Sequence, residues 1–460
     1  MHIPVVIRLF RMAGLAAVLG MLLAGCNPAP PAAPDRWSQP RTARVQILRT
    51  EAGFQMLRDG KPFFIKGAVG ERYLDELQAA GGNSIRVYTT DGLDTLLDQA
   101  HARGIAVMVG LYMMPARYGF DYNNQALVQL QMDSIRRQVL RYKDHPAVLF
   151  WGIGNELELH NSEPSVWVAI NETAKMIHQT DPDHPVAAVI LASERSFAGI
   201  REYCPDLDLL AVNSFSSIAQ ITEQLKSGKT GWSGPYVFTE WGNRGAWEAE
   251  KTHWDAPIER STSIKAVENQ EQYERYILPN TDRCLGSYVF LWGQKQERTH
   301  TWHSMFSEDG HPTSLVDMMA YLWSGAWPAN RAPEIDSLTV NGKNAFNKVY
   351  LHAGQAYTAD VFARDPEQDT LQVRWEILPE GDYRHITGGD REERPEAVAG
   401  LFEPGQGRQL RFRAPGKPGA YRVFVYVRDS KGREASANVP FFVTYPEFRS
   451  FYLAGGAAQP

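Results

Sequence analysis

Two glutamates each follow a short apolar run, and together they have the chemistry to cleave a glycosidic bond. Glu156 ends the stretch Ala147–Glu156, and Glu240 ends a similar stretch that begins at Pro235. In glycoside cleavage one protonated carboxyl gives a proton to the leaving oxygen, while one ionised carboxylate attacks the sugar or activates water. The alternative, for either glutamate alone, is a buried strand that stops at a polar turn.

Apolar runs of this length, bounded by turn residues, are typical of strands buried on both faces of a parallel sheet. Such a strand presents polar side chains where it ends, and barrels and doubly wound sheets build their sites at the carboxyl ends of their strands. We therefore expect the two glutamates to converge in one cleft.

Between residues 45 and 328, strand-like runs alternate with helix-like runs. Eight such β/α units predict a single (β/α)8 barrel, so the fold class is α/β; an open doubly wound sheet is the alternative. The expected strands are Phe63–Gly67, Ser84–Tyr88, Ile105–Leu111, Ala147–Gly152, Val186–Ile190, Asp208–Val212, Tyr236–Thr239 and Ser287–Leu291.

The stretches around the two glutamates resemble those of clan A glycoside hydrolases, which are retaining (β/α)8 barrels. The resemblance is closest to the TIM barrel domain of family 2 and to related glucan-modifying barrels, and it covers roughly residues 45 to 328. It implies that Glu156, preceded by Asn155 at the end of the fourth strand, is the general acid/base. It implies that Glu240, at the end of the seventh strand, is the nucleophile.

The same resemblance implies roles for three further residues. Arg86, at the end of the second strand, would hydrogen-bond the nucleophile, and Asn155 would hold the sugar 2-hydroxyl. Trp292, after the eighth strand, would form the floor of the reacting sugar's subsite. The alternatives are a salt-bridge arginine for Arg86 and a core residue for Trp292.

The chain departs from the family pattern at the sixth strand. Relatives commonly carry a tyrosine there that donates a hydrogen bond to the nucleophile, whereas this chain has Phe215. Tyr88, Tyr112 or His303 could supply the donor, and the sequence does not choose among them. We place Tyr88 and His303 in the substrate-binding site.

Four tryptophans lie at or after the ends of the last two strands, where they could stack on sugar rings. We include Trp241 among the substrate-binding residues and expect one or two of the four to contact sugars. The set is Trp241, Trp247, Trp254 and Trp302.

Composition excludes several other classes of function. The 460 residues carry a net charge of −6 and are 43% hydrophobic, which is typical of a globular protein and gives no basic patch for nucleic acid. No Cys/His cluster has metal-ligand spacing, so we expect neither a metal nor a cofactor. Cys204 and Cys284 could form a disulfide or remain two buried thiols.

The first 26 residues predict a lipoprotein signal peptide. Arg8 and Arg11 precede an apolar run, Met12–Ala24, that is too short to span a bilayer comfortably. The run ends in Leu-Ala-Gly-Cys26, which resembles the bacterial lipobox, in which the cysteine is lipidated. The alternative is a plain signal peptide or an uncleaved anchor. By resemblance to the sorting rule, Asn27 favours the outer membrane.

The remaining segments complete the predicted organisation. Residues 27–44 form a Pro/Ala-rich tether. In residues 333–446, alternating apolar and polar segments are separated by turn residues, and this predicts a β-sandwich that resembles the immunoglobulin-like modules of secreted glycosidases. Its segment Asp365–Asp369 is expected to be a turn, with a calcium site as the alternative. Residues 447–460 form a tail.

These observations predict a retaining glycoside hydrolase that acts on a β-linked glycan, such as a β-glucan, by double displacement. The alternatives are a β-glucan transglycosylase that uses the same residues, and a non-catalytic glycan-binding envelope lipoprotein. The expected partners are a β-linked oligo- or polysaccharide and the membrane that holds the lipid anchor. The expected location is the cell envelope, at the outer membrane facing the periplasm.

The lipobox prediction is tested by Cys26→Ser. Because only the sulfur of Cys26 can take the lipid, the variant should leave the membrane fraction or stay unprocessed. Fractionation and intact-mass analysis measure both outcomes, with Cys204→Ser as the control that keeps parental behaviour. A Cys26→Ser protein that is lipidated like the parent would contradict the prediction.

Overall fold

The computed structural model describes Trp37 and residues 43–161, 163–381, 390–405 and 407–445. These residues belong to one compact unit, Trp37–Pro460. The predicted signal peptide with Cys26, most of the predicted tether and the predicted tail lie outside the described residues. In the part of the chain that is described, no helix is both long and apolar enough to cross a membrane.

A small antiparallel sheet opens the fold: β1 (Val45–Thr50), β2 (Gly53–Arg58) and β3 (Lys61–Pro62). Its backbone bonds to the loops that lead into barrel strands, since Val45 N donates to Asp183 O at 3.0 Å and Phe54 N donates to Asp282 O at 2.6 Å. The sheet therefore covers the amino-terminal end of the barrel, which leaves the carboxyl-terminal end for a site.

Eight parallel strands close into the predicted barrel. The first strand pairs with both the second and the eighth, so the barrel has no open edge and the doubly wound alternative is excluded. The strands are β4 (Ile65–Val69), β5 (Ser84–Val87), β6 (Ala106–Leu111), β7 (Val148–Ile153), β8 (Val186–Leu191), β9 (Leu209–Asn213), β10 (Tyr236–Gly242) and β11 (Cys284–Phe290).

Helices surround the barrel. Side-chain oxygens of Asn124, Ser193, Ser261 and Thr313 accept backbone N–H groups at four helix starts, which satisfies donors that have no partner within the helix. The helices are α1 (Leu74–Ala79), α2 (Leu93–Ala102), α3 (Gln125–Tyr142), α4 (Pro164–Thr180), α5 (Glu194–Tyr203), α6 (Ile218–Lys226), α7 (Thr262–Gln272) and α8 (Ser314–Ser324).

The barrel strands are apolar on both faces because they separate two cores. Met108 and Phe150 point into the barrel interior, which they fill together with Tyr288 and Phe290. The neighbouring Val107 and its equivalents point outward and pack against the helices. The sequence of each strand is therefore a nearly continuous apolar run, as expected for a parallel sheet covered on both faces.

The C-terminal region forms the predicted β-sandwich, in which two sheets pack over one apolar core. Trp375, Val425 and Phe441 are among its buried residues. One sheet contains β12 (Glu334–Val340), β14 (Ala356–Arg364) and β16 (Gln409–Arg413), and the other contains β13 (Val349–His352), β15 (Gln372–Pro379), β17 (Gly419–Arg428) and β18 (Glu434–Thr444).

Buried polar contacts join the barrel and the sandwich. Arg422 of the sandwich donates to the carbonyl oxygen of Pro257 at 2.8 Å, and Asn438 Nδ2 donates to Glu259 Oε2 at 2.6 Å. Lys265 Nζ also donates to Glu259 Oε1 at 2.6 Å. Burial opposes the charge of Glu259, but Lys265 and the hydrogen bonds outweigh it and lower the pKa of Glu259 to about 2. Because Asn438 of the sandwich donates one of the hydrogen bonds to Glu259, the sandwich helps to stabilise this buried ion pair.

Cys204 and Cys284 are both buried free thiols, so the disulfide alternative is wrong. Cys204 Sγ lies 3.3 Å from the carbonyl oxygen of Trp167, and Cys284 Sγ lies 3.4 Å from that of Gly286. Each thiol fills core space beside a backbone acceptor, as is common for buried cysteines.

The buried ion pair of Glu259 and Lys265, where the barrel meets the sandwich, leads to a prediction about stability. Lys265→Met removes the cation that lies against buried Glu259, so it should lower the free energy of unfolding by about 3 kcal/mol or more, the usual cost of leaving a buried charge unpaired. Urea unfolding measures this. Lys175, whose exposed ammonium pairs with Glu172, is the control, since Lys175→Met should cost less than about 1 kcal/mol. Equal losses in the two variants would contradict the buried-pair interpretation.

Candidate active site

The polar residues at the carboxyl ends of four barrel strands meet at one point. Arg86 lies on β5, Asn155 and Glu156 follow β7, Asn213 ends β9, and Glu240 lies on β10. This is the end of the barrel away from the β1–β3 sheet. The structure therefore brings together both glutamates and three of the predicted substrate-binding residues, Arg86, Tyr88 and Asn155.

Glu240 is held through one of its two carboxylate oxygens. Its Oε1 accepts from Arg86 Nη1 at 2.8 Å, from the Tyr88 hydroxyl at 2.8 Å and from Asn213 Nδ2 at 3.0 Å. Among the described residues, Oε2 has no hydrogen-bond partner. One oxygen thus fixes the side chain and the other remains available for chemistry.

A bulge in β10 turns Glu240 into the barrel. In the pairing with β9, Val212 faces Phe238 and Asn213 faces Glu240, so Thr239 is an extra residue. An extra residue reverses the alternation of the side chains that follow it. Before the bulge Val237 points inward; after it, Glu240 joins the polar cluster and Trp241 points outward to the helices.

Arg86 is fully buried and connects the strand ends. Nη1 also donates to the carbonyl oxygen of Thr239 at 2.8 Å, and Nη2 donates to Asn155 Oδ1 at 2.7 Å. The guanidinium lies over the Tyr88 ring, 4.6 Å from its centroid. A buried guanidinium needs several acceptors to offset its lost hydration, and Glu240, Thr239 and Asn155 provide them.

Asn213 is a site residue that the sequence analysis missed. Its Nδ2 lies 2.8 Å from Glu156 Oε1 and 3.0 Å from Glu240 Oε1, so one amide group bridges both carboxylates. Its Oδ1 accepts from the Thr239 hydroxyl at 2.8 Å. Its position in the sequence could have indicated a site residue, because Asn213 ends an apolar strand and Asn155-Glu156 follows another one.

Glu156 lies on a tight turn just beyond β7. Its φ is 50°, Gly154 has φ 60°, and Glu156 N donates to the carbonyl oxygen of Val189 at 3.0 Å. Burial raises the pKa of Glu156 well above its usual range, and the nearby charge of Glu240 raises it further. A carboxyl with a raised pKa keeps its proton near neutral pH, as a general acid requires.

Tyr88 supplies the hydroxyl that Phe215 lacks. Of the three alternatives, Tyr88 alone bonds to Glu240 among the described contacts; Tyr112 is exposed, and its hydroxyl lies 3.4 Å from Met114 Sδ. Phe215 instead packs edge-on against Phe290 and Trp247, with ring centroids 5.8 and 5.9 Å apart.

The prediction that His303 binds substrate is wrong for this structure. The imidazole is completely buried between Phe215 and Phe290, at centroid distances of 5.5 and 5.1 Å. Burial lowers the pKa of His303 to about 4. A neutral, enclosed ring supports the aromatic residues beneath the site but cannot touch a ligand.

Trp241 is also wrongly predicted as a sugar contact, whereas the role of Trp292 stays a prediction because Trp292 lines the cavity beside Arg86 and Tyr88. Trp292 is fully buried, donates from Nε1 to the carbonyl oxygen of Tyr73 at 3.0 Å and packs on Trp323 of α8. Trp241 is fully buried and stacks on Tyr273. Trp241 belongs to the outer core because it lies on the side of β10 that faces the helices. Trp292, which follows β11, packs in the same core and also forms part of the cavity wall.

Of the other loop tryptophans, Trp247 is free to meet a sugar. It is 55% exposed and lies beside Phe215. Trp302 is buried and donates to the carbonyl oxygen of Arg244 at 2.9 Å, and Trp254 packs on Tyr350 and Phe442 of the sandwich. Of the four, Trp247 therefore stays a predicted sugar contact.

Acidic residues elsewhere have the spacing of a cation site. Among the described residues, Asp365, Asp369 and Asp429 of the sandwich form the one group with suitably close ligand atoms. Lys431 Nζ lies 2.9 Å from Asp369 Oδ2, so a cation already neutralises part of this cluster. It is separate from the residues around Glu240, where Arg86 supplies the positive charge.

Sequence comparison agrees with the barrel. Residues 91–249 match the family described as glycosyl hydrolases family 2, TIM barrel domain. That segment includes Glu156, Asn213 and Glu240. No curated protein matches the chain.

Several solved structures are similar to parts of the chain at low identity. They include a beta-D-glucuronidase of Dictyoglomus thermophilum (18% identity, 61% of this chain and 54% of that one, TM-score 0.46). A GH2 beta-galacturonidase of Eisenbergiella tayi has 17% identity, 63% and 55% coverage and a TM-score of 0.48. A beta-glucuronidase of Bacteroides uniformis has 13% identity, 87% and 48% coverage and a TM-score of 0.46. The chain spans about half the length of these proteins.

The electrostatics of Glu156 can be tested directly. Glu240→Gln removes a neighbouring negative charge, so the pKa of Glu156 should fall, yet burial should keep it above the usual range for a glutamate. Glu158→Gln is the matched control, since the charge of Glu158 contributes less. Carbon-13 NMR titration of the glutamate carboxyls, assigned with Glu156→Gln, gives the three values. A larger fall in Glu158→Gln would contradict this account.

Proposed function

Because residues 91–249 belong to the TIM barrel domain of glycosyl hydrolases family 2, we propose that this protein is a retaining glycoside hydrolase that acts on a β-linked glycan. Glu156 is the general acid/base and Glu240 is the nucleophile. The activity of the whole chain is a proposal, since the chain spans about half the length of the solved family members it matches.

The observation that carries the proposal is the shared donor, Asn213. One nitrogen lies within 2.8 Å of a Glu156 oxygen and within 3.0 Å of a Glu240 oxygen. Two carboxylates that share a hydrogen-bond donor are close neighbours. Retaining glycosidases have carboxyl groups about 5–5.5 Å apart, whereas inverting ones need about 6.5–9.5 Å to admit a water. The hydrogen bonds from Asn213 to both glutamates therefore support the shorter separation, which is that of retaining glycosidases.

The first step forms a bond to Glu240. Oε2, the oxygen without a partner, attacks the anomeric carbon while the carboxyl proton of Glu156 passes to the leaving oxygen, and the glycosidic bond breaks. Arg86, Tyr88 and Asn213 hold Oε1 throughout. Their role is to fix the direction of attack, because the reacting atoms gain most when they are already aligned.

The second step regenerates the protein. Glu156, now a carboxylate, takes a proton from a water, whose oxygen attacks the anomeric carbon and releases Glu240. Two displacements return the original anomeric configuration. If a sugar hydroxyl replaces the water, the same residues carry out transglycosylation, and product analysis distinguishes the two acceptors.

The substrate class that we propose is a neutral β-glucan or a related polysaccharide. Support comes from Trp247, whose exposed ring offers an apolar face of the kind that stacks on sugars. A cavity of about 470 Å3 beside Arg86 and Tyr88 provides room for a sugar unit. We also propose that a lipid on Cys26 attaches the protein to the outer membrane, facing the periplasm; this part rests on the sequence.

Covalent trapping tests the double displacement. A 2-deoxy-2-fluoro-β-glucoside with a good leaving group slows the second step, so the full-length protein should gain the mass of one fluoro-sugar on a peptide that contains Glu240. Glu240→Ala should not be labelled, and azide should restore part of its turnover as a glycosyl azide of inverted configuration. Labelling of Glu156 instead, or equal turnover by Glu240→Ala without azide, would overturn the assignment.

A further inference from the structure

The cavity beside the reacting carboxylates reaches a residue that the catalytic assignment does not use. It opens beside Arg86 and Tyr88, is lined by the loops after β4 and β11, and includes Glu308 in its wall. Arg86 and Tyr88 both bond to Glu240. Glu308 therefore faces the same cavity as the contacts of the nucleophile.

Glu308 is held in place from the sandwich. Nε of Arg394 lies 3.0 Å from Glu308 Oε1. The same guanidinium donates from Nη2 to both oxygens of Glu376, at 2.8 and 2.7 Å. Glu376, on β15, also accepts from the Tyr426 hydroxyl at 2.9 Å. Hydrogen bonds from the sandwich thus fix Arg394, and Arg394 in turn holds Glu308 by charge, in an ion pair that lacks hydrogen-bond geometry at Nε.

The turn that carries Glu308 is anchored on the barrel as well. Phe306 stacks on Tyr73 with ring centroids 3.9 Å apart, and Gly310 N donates to the carbonyl oxygen of Ser307 at 2.9 Å. A side chain that is already ordered loses little conformational entropy when it binds a ligand. Glu308 is therefore a pre-organised acceptor in the cavity wall.

We propose that Glu308 binds hydroxyl groups of the glycan beyond the sugar whose bond is cleaved, and that Arg394 of the sandwich is the positioning residue that holds it there. The inference rests on the proposed glycosidase function and deepens it. An ionised carboxylate only accepts hydrogen bonds, and its two oxygens suit two neighbouring hydroxyls. A uronic acid at this subsite would bring like charges together, so the class of sugar is neutral.

Asp309 provides a matched control within the same turn. Like Glu308 it pairs with a sandwich arginine, since Asp309 Oδ2 lies 3.0 Å from Arg428 Nη2. Its side chain is 61% exposed, and it is not part of the described wall of the cavity. Asp309→Asn therefore removes a neighbouring charge and an equivalent ion pair without removing the proposed sugar contact.

The test measures glycan binding by the full-length protein with Glu240→Gln, which blocks turnover. Cello-, laminari- and gentio-oligosaccharides of two to six units are titrated by calorimetry, and the tightest is carried forward. Adding Glu308→Gln or Arg394→Gln should weaken its binding about tenfold, as expected when a charge-assisted hydrogen bond is lost. Adding Asp309→Asn should change it less than about twofold. Combining Glu308→Gln with Arg394→Gln should add little to either alone.

A second measurement separates this inference from the proposed function. In the background with Glu240 intact, the parent and Asp309→Asn should be labelled by the fluoro-glucoside at the same rate, because that reagent carries only the reacting sugar and Asp309 is not part of the cavity wall. Labelling of the parent supports the proposed function independently of Glu308. The inference alone is overturned if the parent is labelled and Glu308→Gln does not weaken oligosaccharide binding in the Glu240→Gln background. It is also overturned if the parent is labelled and none of the oligosaccharides binds. If the parent is neither labelled nor binds a glycan, both are overturned.

Discussion

The buried guanidinium of Arg86 is the constraint around which the barrel's carboxyl-terminal end is built. It contacts Glu240, the carbonyl oxygen of Thr239 and Asn155, and it lies against Tyr88. These partners come from strands that are distant in the chain, so the cation can be satisfied only when the barrel is closed. An arginine buried without them would be strongly destabilising. Closure of the barrel and assembly of the site are therefore the same event.

Much of this arrangement could be predicted from sequence, because a buried parallel strand tolerates polar residues at its end and little else. That rule located Asn155, Glu156 and Glu240, and the family resemblance added Arg86. Asn213 also ends an apolar strand, but at the sixth strand the resemblance points to the missing hydroxyl at Phe215 and not to the amide two residues earlier. The choice of Tyr88 over Tyr112 needed the reach of each side chain, which only the folded backbone defines.

The incorrect prediction for Trp241 has a physical cause in the strand that carries it. In a strand that is apolar on both faces, the sequence does not show which side chains point inward. The extra residue Thr239 reverses the alternation of β10, and so Glu240 enters the site while Trp241 joins the outer core. His303 lies in the loop after β11, where its contacts with Phe215 and Phe290 depend on the tertiary fold and not on strand alternation. An aromatic residue near a strand end is thus weaker evidence for sugar binding than a polar one.

The burial of Cys204 and Cys284 affects how the folded protein reacts with oxidants and disulfides. Burial raises the pKa of both Cys204 and Cys284 to about 12. The thiolate is the reactive form in disulfide exchange and oxidation, so neither sulfur is available for that chemistry at neutral pH. The chain has 3 cysteines, and the third is Cys26, so the described fold holds no disulfide that a change in redox potential could break. In the folded, unmodified chain, thiol reactivity would therefore be concentrated at the predicted lipidation position.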